Sequence, residues 1–91
     1  MSGWVIGVMV EVSGEAAPLR HFFAIGHEDR AKAEWTAIDA ASAFGGISPS
    51  PVKGQEPVQA MAALTPAKMK RMGLLAKEVR PLGRAWPRNW L

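Results

Sequence analysis

The segment Trp4–Val12 most constrains this fold, because it places large apolar side chains on both faces of a predicted strand. It is rich in β-branched residues and stops at the turn pair Ser13-Gly14. Successive side chains of a strand point to opposite faces, so Ile6 lies on one face and Val5 and Met9 lie on the other. A sheet built on this strand therefore needs cover on both faces.

A second apolar run, Leu19–Gly26, follows after a short loop and contains two adjacent phenylalanines. Two runs this close in sequence favour an antiparallel hairpin. The segment His27–Asp29 then supplies capping and acidic residues where a helix dipole favours them. We expect a helix over residues 29–44, ended by Gly45 or Gly46.

One stripe of this predicted helix is apolar and is expected to lie on the hairpin. The stripe consists of Ala31, Trp35, Ile38 and Ser42, widened by Ala37, Ala41 and Phe44. A single helix covers only one face of a sheet, so the second face needs another cover. The candidates are a helix over Lys68–Leu75 together with the tail, or a second protomer.

The C-terminal half predicts a third strand and a second helix. Residues 45–57 are rich in Gly, Pro and Ser and predict a loop that sustains neither a strand ladder nor a helix. The run Val58–Leu64 alternates loosely and predicts a strand, antiparallel beside the first. The pair Thr65-Pro66 predicts the start of a helix over residues 66–72, with Gly73 as its stop.

These elements predict an α+β fold: a small two-layer sandwich in the order β-β-α-β-α with an antiparallel three-stranded sheet. The segment Val79–Leu82 is a candidate fourth strand at an edge. The 91 residues are enough for one core. We expect a single domain over residues 1–82 and a basic, tryptophan-containing tail over residues 83–91.

Two stretches near the C-terminus resemble a short known pattern. They are Met72–Leu74 and Glu78–Leu82, and they resemble the closing LG…EVRPL-like segment of short uncharacterised bacterial proteins that also have an aromatic hairpin and a helix. The resemblance implies a bacterial protein. It implies no activity and no site residues.

The absence of cysteine excludes disulfides and thiolate zinc sites. The apolar run near the N-terminus is far shorter than the roughly 20 residues that cross a bilayer. No Lys or Arg precedes it as a signal peptide would require. We therefore expect a cytoplasmic protein with no membrane partner.

The side chains offer no recognisable catalytic constellation. His21 and His27 are six residues apart, which on a regular strand is roughly 20 Å and too far to share a zinc ion. His27 beside Glu28 and Asp29 has the elements of an oriented general base, but a helix entrance explains the same residues. No Ser/His/Asp or Cys/His arrangement stands out, and the glycines match no phosphate-binding loop. We expect no catalytic residue, no cofactor and no metal.

Charge is divided unevenly along the chain. Residues 1–67 carry four basic and seven acidic side chains, whereas residues 68–91 carry seven basic side chains and one acidic, Glu78. Such a division favours an anionic partner, or a tail that docks on an acidic surface of its own chain or of a second copy. A merely solubilising surface is the alternative.

The tail alternates arginine and tryptophan. If it is extended, Arg84, Trp86, Arg88 and Trp90 share one side, which suits stacking on bases and contact with phosphates. The alternative is that both tryptophans pack on the uncovered sheet face while the arginines reach water.

We therefore expect a non-enzymatic protein that self-associates or binds another protein through the sheet face that the helix leaves open. The alternative is a nucleic-acid-binding module that uses the basic tail, and an enzyme of unrecognised machinery is a third hypothesis. The candidate contact residues are Lys68, Lys70, Arg71, Arg80, Arg84, Trp86, Arg88 and Trp90.

Overall fold

The computed structural model describes residues 1–88 and confirms the α+β class. The elements are β1 (Gly3–Glu11), β2 (Leu19–Ile25), α1 (Arg30–Ala41), β3 (Gly46–Ile47), β4 (Val58–Leu64), α2 (Pro66–Met72) and β5 (Val79–Gly83). The five strands of this described part form one antiparallel sheet. Trp90 lies outside the described residues.

The sheet is organised around β1. β2 pairs with β1 along one edge from Trp4 to Val10, and β4 pairs with the other edge from Gly3 to Val8. The predicted hairpin and the predicted position of the third strand beside the first are both confirmed. β5 pairs with the outer edge of β2, which confirms the candidate edge strand.

The loop prediction for residues 45–57 was wrong at β3. Gly46 and Ile47 pair with Glu11 and Val10, and the amide of Ser48 donates to the carbonyl of Met9 at 2.9 Å. β1 extends past the end of β4, so its last backbone groups need other partners. Two extended residues satisfy them, and a piece this short leaves no periodic pattern in the sequence.

The caps follow the sequence closely. The Asp29 carboxylate accepts from the amide of Lys32 at 3.1 Å, and the Thr65 hydroxyl accepts from the amide of Lys68 at 3.2 Å. α2 ends at Gly73, whose φ of 69° is the left-handed conformation that favours glycine. Both predicted helices therefore begin where side-chain acceptors were expected, although α1 stops at Ala41 and not at residue 44.

We call the side of the sheet that bears Ile6, Val8 and Phe23 the α1 face, because α1 packs on it. The helix contacts this face through Ala33, Ala37 and Ala41, which are fully buried. The predicted contact stripe is confirmed at Ala37 and Ala41 and was wrong at Trp35, which is 69% exposed. Alanines let the helix backbone approach the sheet closely, whereas an indole at the contact would hold the helix away.

We call the opposite side the α2 face. Its buried cluster joins the sheet to α2 and to the residue that follows it, and consists of Val5, Phe22, Ala24, Leu64, Met69, Met72 and Leu74. The second cover that the two-faced strand demands therefore comes from the chain itself. Farther along this face, the side chains of Arg20 and Met61 lie over Gly7, where a Cβ would come within 3.2 and 3.3 Å of them.

The connection between α2 and β5 is fixed to the end of β2. The amide of Gly26 donates to the carbonyl of Glu78 at 2.9 Å, and the amide of Lys77 donates to the carbonyl of Gly26 at 2.8 Å. A Cβ on Gly26 would collide with the carbonyl of Leu75. A glycine at this position therefore allows the two backbones to meet.

A bulge divides β4. Ala60 pairs with Ile6 and Ala62 pairs with Val5, so Met61 is the extra residue between them. Before the bulge, Val58 and Ala60 pack on the α1 face, and after it Leu64 packs on the α2 face. One strand of seven residues thus contributes to both cores.

Candidate functional site

The outer edge of β4 is the first candidate surface. Within residues 1–88, β4 pairs with β1 alone, so its other edge presents unpaired backbone donors and acceptors. Its sequence, VQAMAAL, contains no charged residue and no proline. Gln59 and Ala63 are exposed on either side of the bulge. Such an edge is a template for a further strand.

An exposed tryptophan stands beside this edge. Trp35 lies on α1 and, with Glu34, Ile38 and Val58, lines a groove of about 210 Å³. Val58 is the first residue of β4, so the groove adjoins the strand's edge. An indole that is 69% exposed leaves most of its apolar surface in water. A strand added to β4 would bring side chains close enough to cover it.

The other edge, formed by β5, is built differently. Its sequence is VRPLG, in which Pro81 has no amide hydrogen and Gly83 has a φ of 82°. Arg80 is turned inward: its guanidinium donates to the carbonyls of Met72 and Gly73, the latter at 3.1 Å, and to the Glu78 carboxylate at 2.7 Å. This edge is therefore held to the end of α2.

Arg80 was a candidate contact residue, and the structure gives it an internal partner set instead. Glu78, its ionic partner, also accepts from the amide of Leu75 at 2.8 Å. That backbone hydrogen bond, and then the bond from Arg80, lower the pKa of the Glu78 carboxyl below its ordinary value. Sequence alone does not distinguish this arginine from its neighbours, since its partners are backbone carbonyls of another element.

The other basic candidates divide into two groups. Lys68, Lys70 and Arg71 project from α2, with Lys70 and Arg71 exposed, and none of the three forms an ion pair with another residue in 1–88. Arg84 and Arg88 follow β5 and are also exposed. The structure therefore separates the helix cations from the tail cations.

The tail is not extended over its described residues. The chain bends at residues 84–85, and the amide of Arg88 donates to the carbonyl of Trp86 at 2.8 Å. Trp86 packs edge-to-face on Phe22, with ring centroids 5.4 Å apart, and is 38% exposed. For Trp86, this contact agrees with the interpretation in which the tryptophans of the tail pack on the sheet. The one-sided alternation does not form for Arg84 and Trp86, because they lie near His21 and Phe22, which point to opposite faces of β2.

The sheet face that was expected to remain open is buried by the chain. Val5 and Ala24 are fully buried there and Phe22 is 7% exposed. The large exposed apolar side chains of residues 1–88 lie elsewhere, and they are Met1, Trp35, Phe44, Leu75 and Trp86. The surface beside β4 was missed, although its uncharged strand and Trp35 were visible in the sequence.

His21 is the titratable side chain most affected by its surroundings. It packs against Phe44 with ring centroids 5.0 Å apart, and its Nε2 is buried without a hydrogen-bond partner. Burial, and then the charge of Arg84, lower the pKa of His21 below its ordinary value. Over residues 1–88 no group of three or more His, Cys, Asp or Glu side chains is placed to hold a metal ion.

Comparison with known proteins adds no relative. No family model, curated protein or solved structure matches this chain. Neither α1 nor α2, the helices of the described part, has the length and apolar character that crossing a membrane requires.

Proposed function

We propose that this domain is a non-enzymatic interaction module that self-associates, with β4 of a second copy adding antiparallel to the free edge of β4. The observation that carries the proposal is an uncharged, unpaired edge strand next to an exposed tryptophan. Backbone groups at such an edge recognise an extended strand, since each unpaired donor meets an acceptor. The occupant is therefore a β-strand.

A second copy suits this edge because β4 carries no charge. When two copies of one strand pair about a two-fold axis, the side chains of the strand face the same strand of the partner. A strand with a net charge would therefore face the same charge and be repelled. VQAMAAL brings no such repulsion. The neighbouring Trp35 and Ile38 supply apolar area that strand pairing alone lacks.

The test is the mass of the protein in solution. Sedimentation velocity over a range of concentrations is expected to show a dimer that dissociates on dilution. The variant Gln59→Lys/Ala63→Lys places two like charges on each edge and is expected to be monomeric. The single variants Gln59→Lys and Ala63→Lys show on which side of the bulge the two copies pair. The matched control, Ala43→Lys/Ala85→Lys, changes two exposed alanines away from β4 and is expected to leave the dimer intact.

Two outcomes contradict the proposal. One is a wild-type protein that is monomeric at all concentrations. The other is a dimer that the β4 lysines do not weaken while circular dichroism shows them folded. Tryptophan fluorescence of Trp35→Phe gives a second readout, because the indole that changes its environment on dilution is expected to be Trp35.

The nucleic-acid alternative rests on the cations of α2 and the tail. It has less support than self-association, since Arg80 is engaged internally and Trp86 packs on Phe22. A salt titration of binding to single-stranded DNA separates the two functions. Phosphate contacts give an affinity that falls steeply with salt, and pairing of uncharged strands does not.

A further inference from the structure

A groove runs along α2, from Pro66 in its first turn to Gly73 at its C-cap, and its lining contains no residue of β4. It is bounded by Met1, Pro66, Met69, Gly73, Leu74 and Leu75, with Lys70 as the charged residue of its lining, and its volume is about 430 Å³. Volumes of this order are typical of small-ligand sites. Met69 and Leu74 are buried, whereas Leu75 is 67% exposed. The groove thus has an apolar floor and an apolar side chain at its mouth.

Lys70 is the cationic side chain that lines this groove, and it belongs to a basic segment of the chain. The segment from Pro66 to Lys77 contains four cations, which are Lys68, Lys70, Arg71 and Lys77, and no acid. None of these four forms a salt bridge with another described residue. The next acid along the chain, Glu78, is already bonded to the Leu75 amide and to Arg80. The Lys70 ammonium at the groove is therefore without an ionic partner among residues 1–88.

We propose that this groove binds a single-chain amphiphile with an anionic head group, of the fatty-acid type. The acyl chain lies against Met69 and Leu74, Leu75 closes over it, and the head group lies at Lys70. An apolar floor favours the chain through burial of its methylene groups. A lysine at the mouth favours a carboxylate over a neutral or cationic head.

The experiment uses decanoate and methyl NMR of the five methionines. Met69 lines the groove, whereas Met9 lies near the other end of β1, paired with Arg20, and serves as an internal reference. Submicellar decanoate is expected to shift the Met69 methyl signal in a saturable manner and to leave Met9 unchanged. Decyltrimethylammonium, with the same chain and the opposite charge, is expected not to saturate.

Two variants test the named contacts. Lys70→Glu is expected to weaken decanoate binding about tenfold, because it replaces an attractive surface charge with a repulsive one. Lys53→Glu makes the same change on the exposed loop away from the groove and is expected to leave the affinity unchanged. Leu75→Gln alters an exposed side chain and is expected to weaken binding while retaining the folded spectrum.

Three results overturn the proposal: equal affinity for the two head groups, shifts of Met9 as large as those of Met69, or binding to anionic vesicles without binding to monomeric decanoate. The last result would indicate a membrane surface as the partner. Sedimentation of Lys70→Glu separates this site from the β4 edge, since the dimer is expected to be unaffected.

Discussion

The two edges of the sheet differ in almost every property that governs strand addition. β5 carries an arginine, a proline and a left-handed glycine, and its Arg80 is bonded to the end of α2. β4 carries neither charge nor proline, and in the described part of the chain it has no second partner strand. Charge, proline and bulges are the devices by which proteins protect sheet edges. β5 has all three, since Leu82 is an extra residue between the pairs with Phe22 and Phe23, and β4 has only its bulge. The less protected edge is therefore the one that we propose to bind a second copy.

The largest expected effect on stability is that of replacing Arg80, which belongs to the protected edge and has no counterpart on β4. Arg80→Ala removes charge-assisted hydrogen bonds to two carbonyls of the α2 terminus and the ion pair with Glu78. The variant is expected to lower the free energy of unfolding by about 2 kcal/mol. Thermal unfolding measures this loss, which for a domain of this size is a fall in Tm of roughly 8 to 16 °C.

The comparison predicts that Arg80→Ala leaves self-association through β4 unchanged below its Tm. Arg71→Ala removes an exposed cation of α2 that has no ion pair and is expected to change stability by less than about 0.5 kcal/mol. If Arg80→Ala retained the wild-type Tm but lost its dimer, the assignment of the two edges would be reversed.

A smaller effect is expected at Trp86, which packs beside the protected edge. Trp86→Ala loses an edge-to-face contact with Phe22 and part of the cover of the α2 face. We expect a loss of about 1 to 2 kcal/mol in unfolding free energy, with Trp86→Phe keeping most of it. An unchanged Tm combined with lost affinity for single-stranded DNA would instead identify this residue as part of a nucleic-acid-binding arm.

The smallest expected effect is the pH dependence of stability that His21 causes. Its folded pKa lies below the ordinary value of 6.5, because the protonated ring is disfavoured by burial and by Arg84. The unfolded chain therefore binds more protons in the interval between the two values, so stability is full above pH 6.5 and falls as the pH is lowered through that interval.

Denaturant titrations of the wild type and of His21→Phe isolate this effect. The difference between their stabilities is expected to vary with pH below 6.5, and the contributions of all other groups cancel. Glu78 acts in the same sense at lower pH: because its folded pKa lies below its ordinary value of 4.5, its contribution to stability is full above pH 4.5 and is lost as the pH falls from there through the folded pKa. β4 has no titratable side chain, so the dimer is expected to be insensitive over the interval in which His21 titrates.

Local signals predicted most of the fold. Thr65, Pro66 and Gly73 specify where α2 begins and ends through their own side chains and backbone, so the sequence defines this helix well. β1 has large apolar side chains on both faces, and the sequence therefore also predicted correctly that α2 is a candidate to cover the second face. β3 was missed because a strand of two residues is too short to show an alternation of apolar and polar side chains.

The contact stripe of α1 and the candidate site were predicted less well. The helix has apolar residues on more than one stripe, and the choice between alanines and Trp35 depends on how closely the sheet allows it to approach. Arg80 looked like a solvent-exposed cation because its partners are carbonyls that only the tertiary fold brings near. Which strand remains at an edge is likewise a property of the topology, and the composition of VQAMAAL alone does not determine it.

The extra residue in β4 determines which changes of length the chain tolerates. Deleting Met61 would leave the pairs Ala60–Ile6 and Ala62–Val5 in place, so Leu64 would keep its place among the α2 contacts. Strict alternation of all seven residues, by contrast, would put Leu64 on the same side of the sheet as Val58 and Ala60. α2 begins two residues later, so its own attachment would rotate with the strand. In evolutionary terms, β4 can lose one codon at the bulge without separating either layer from its core.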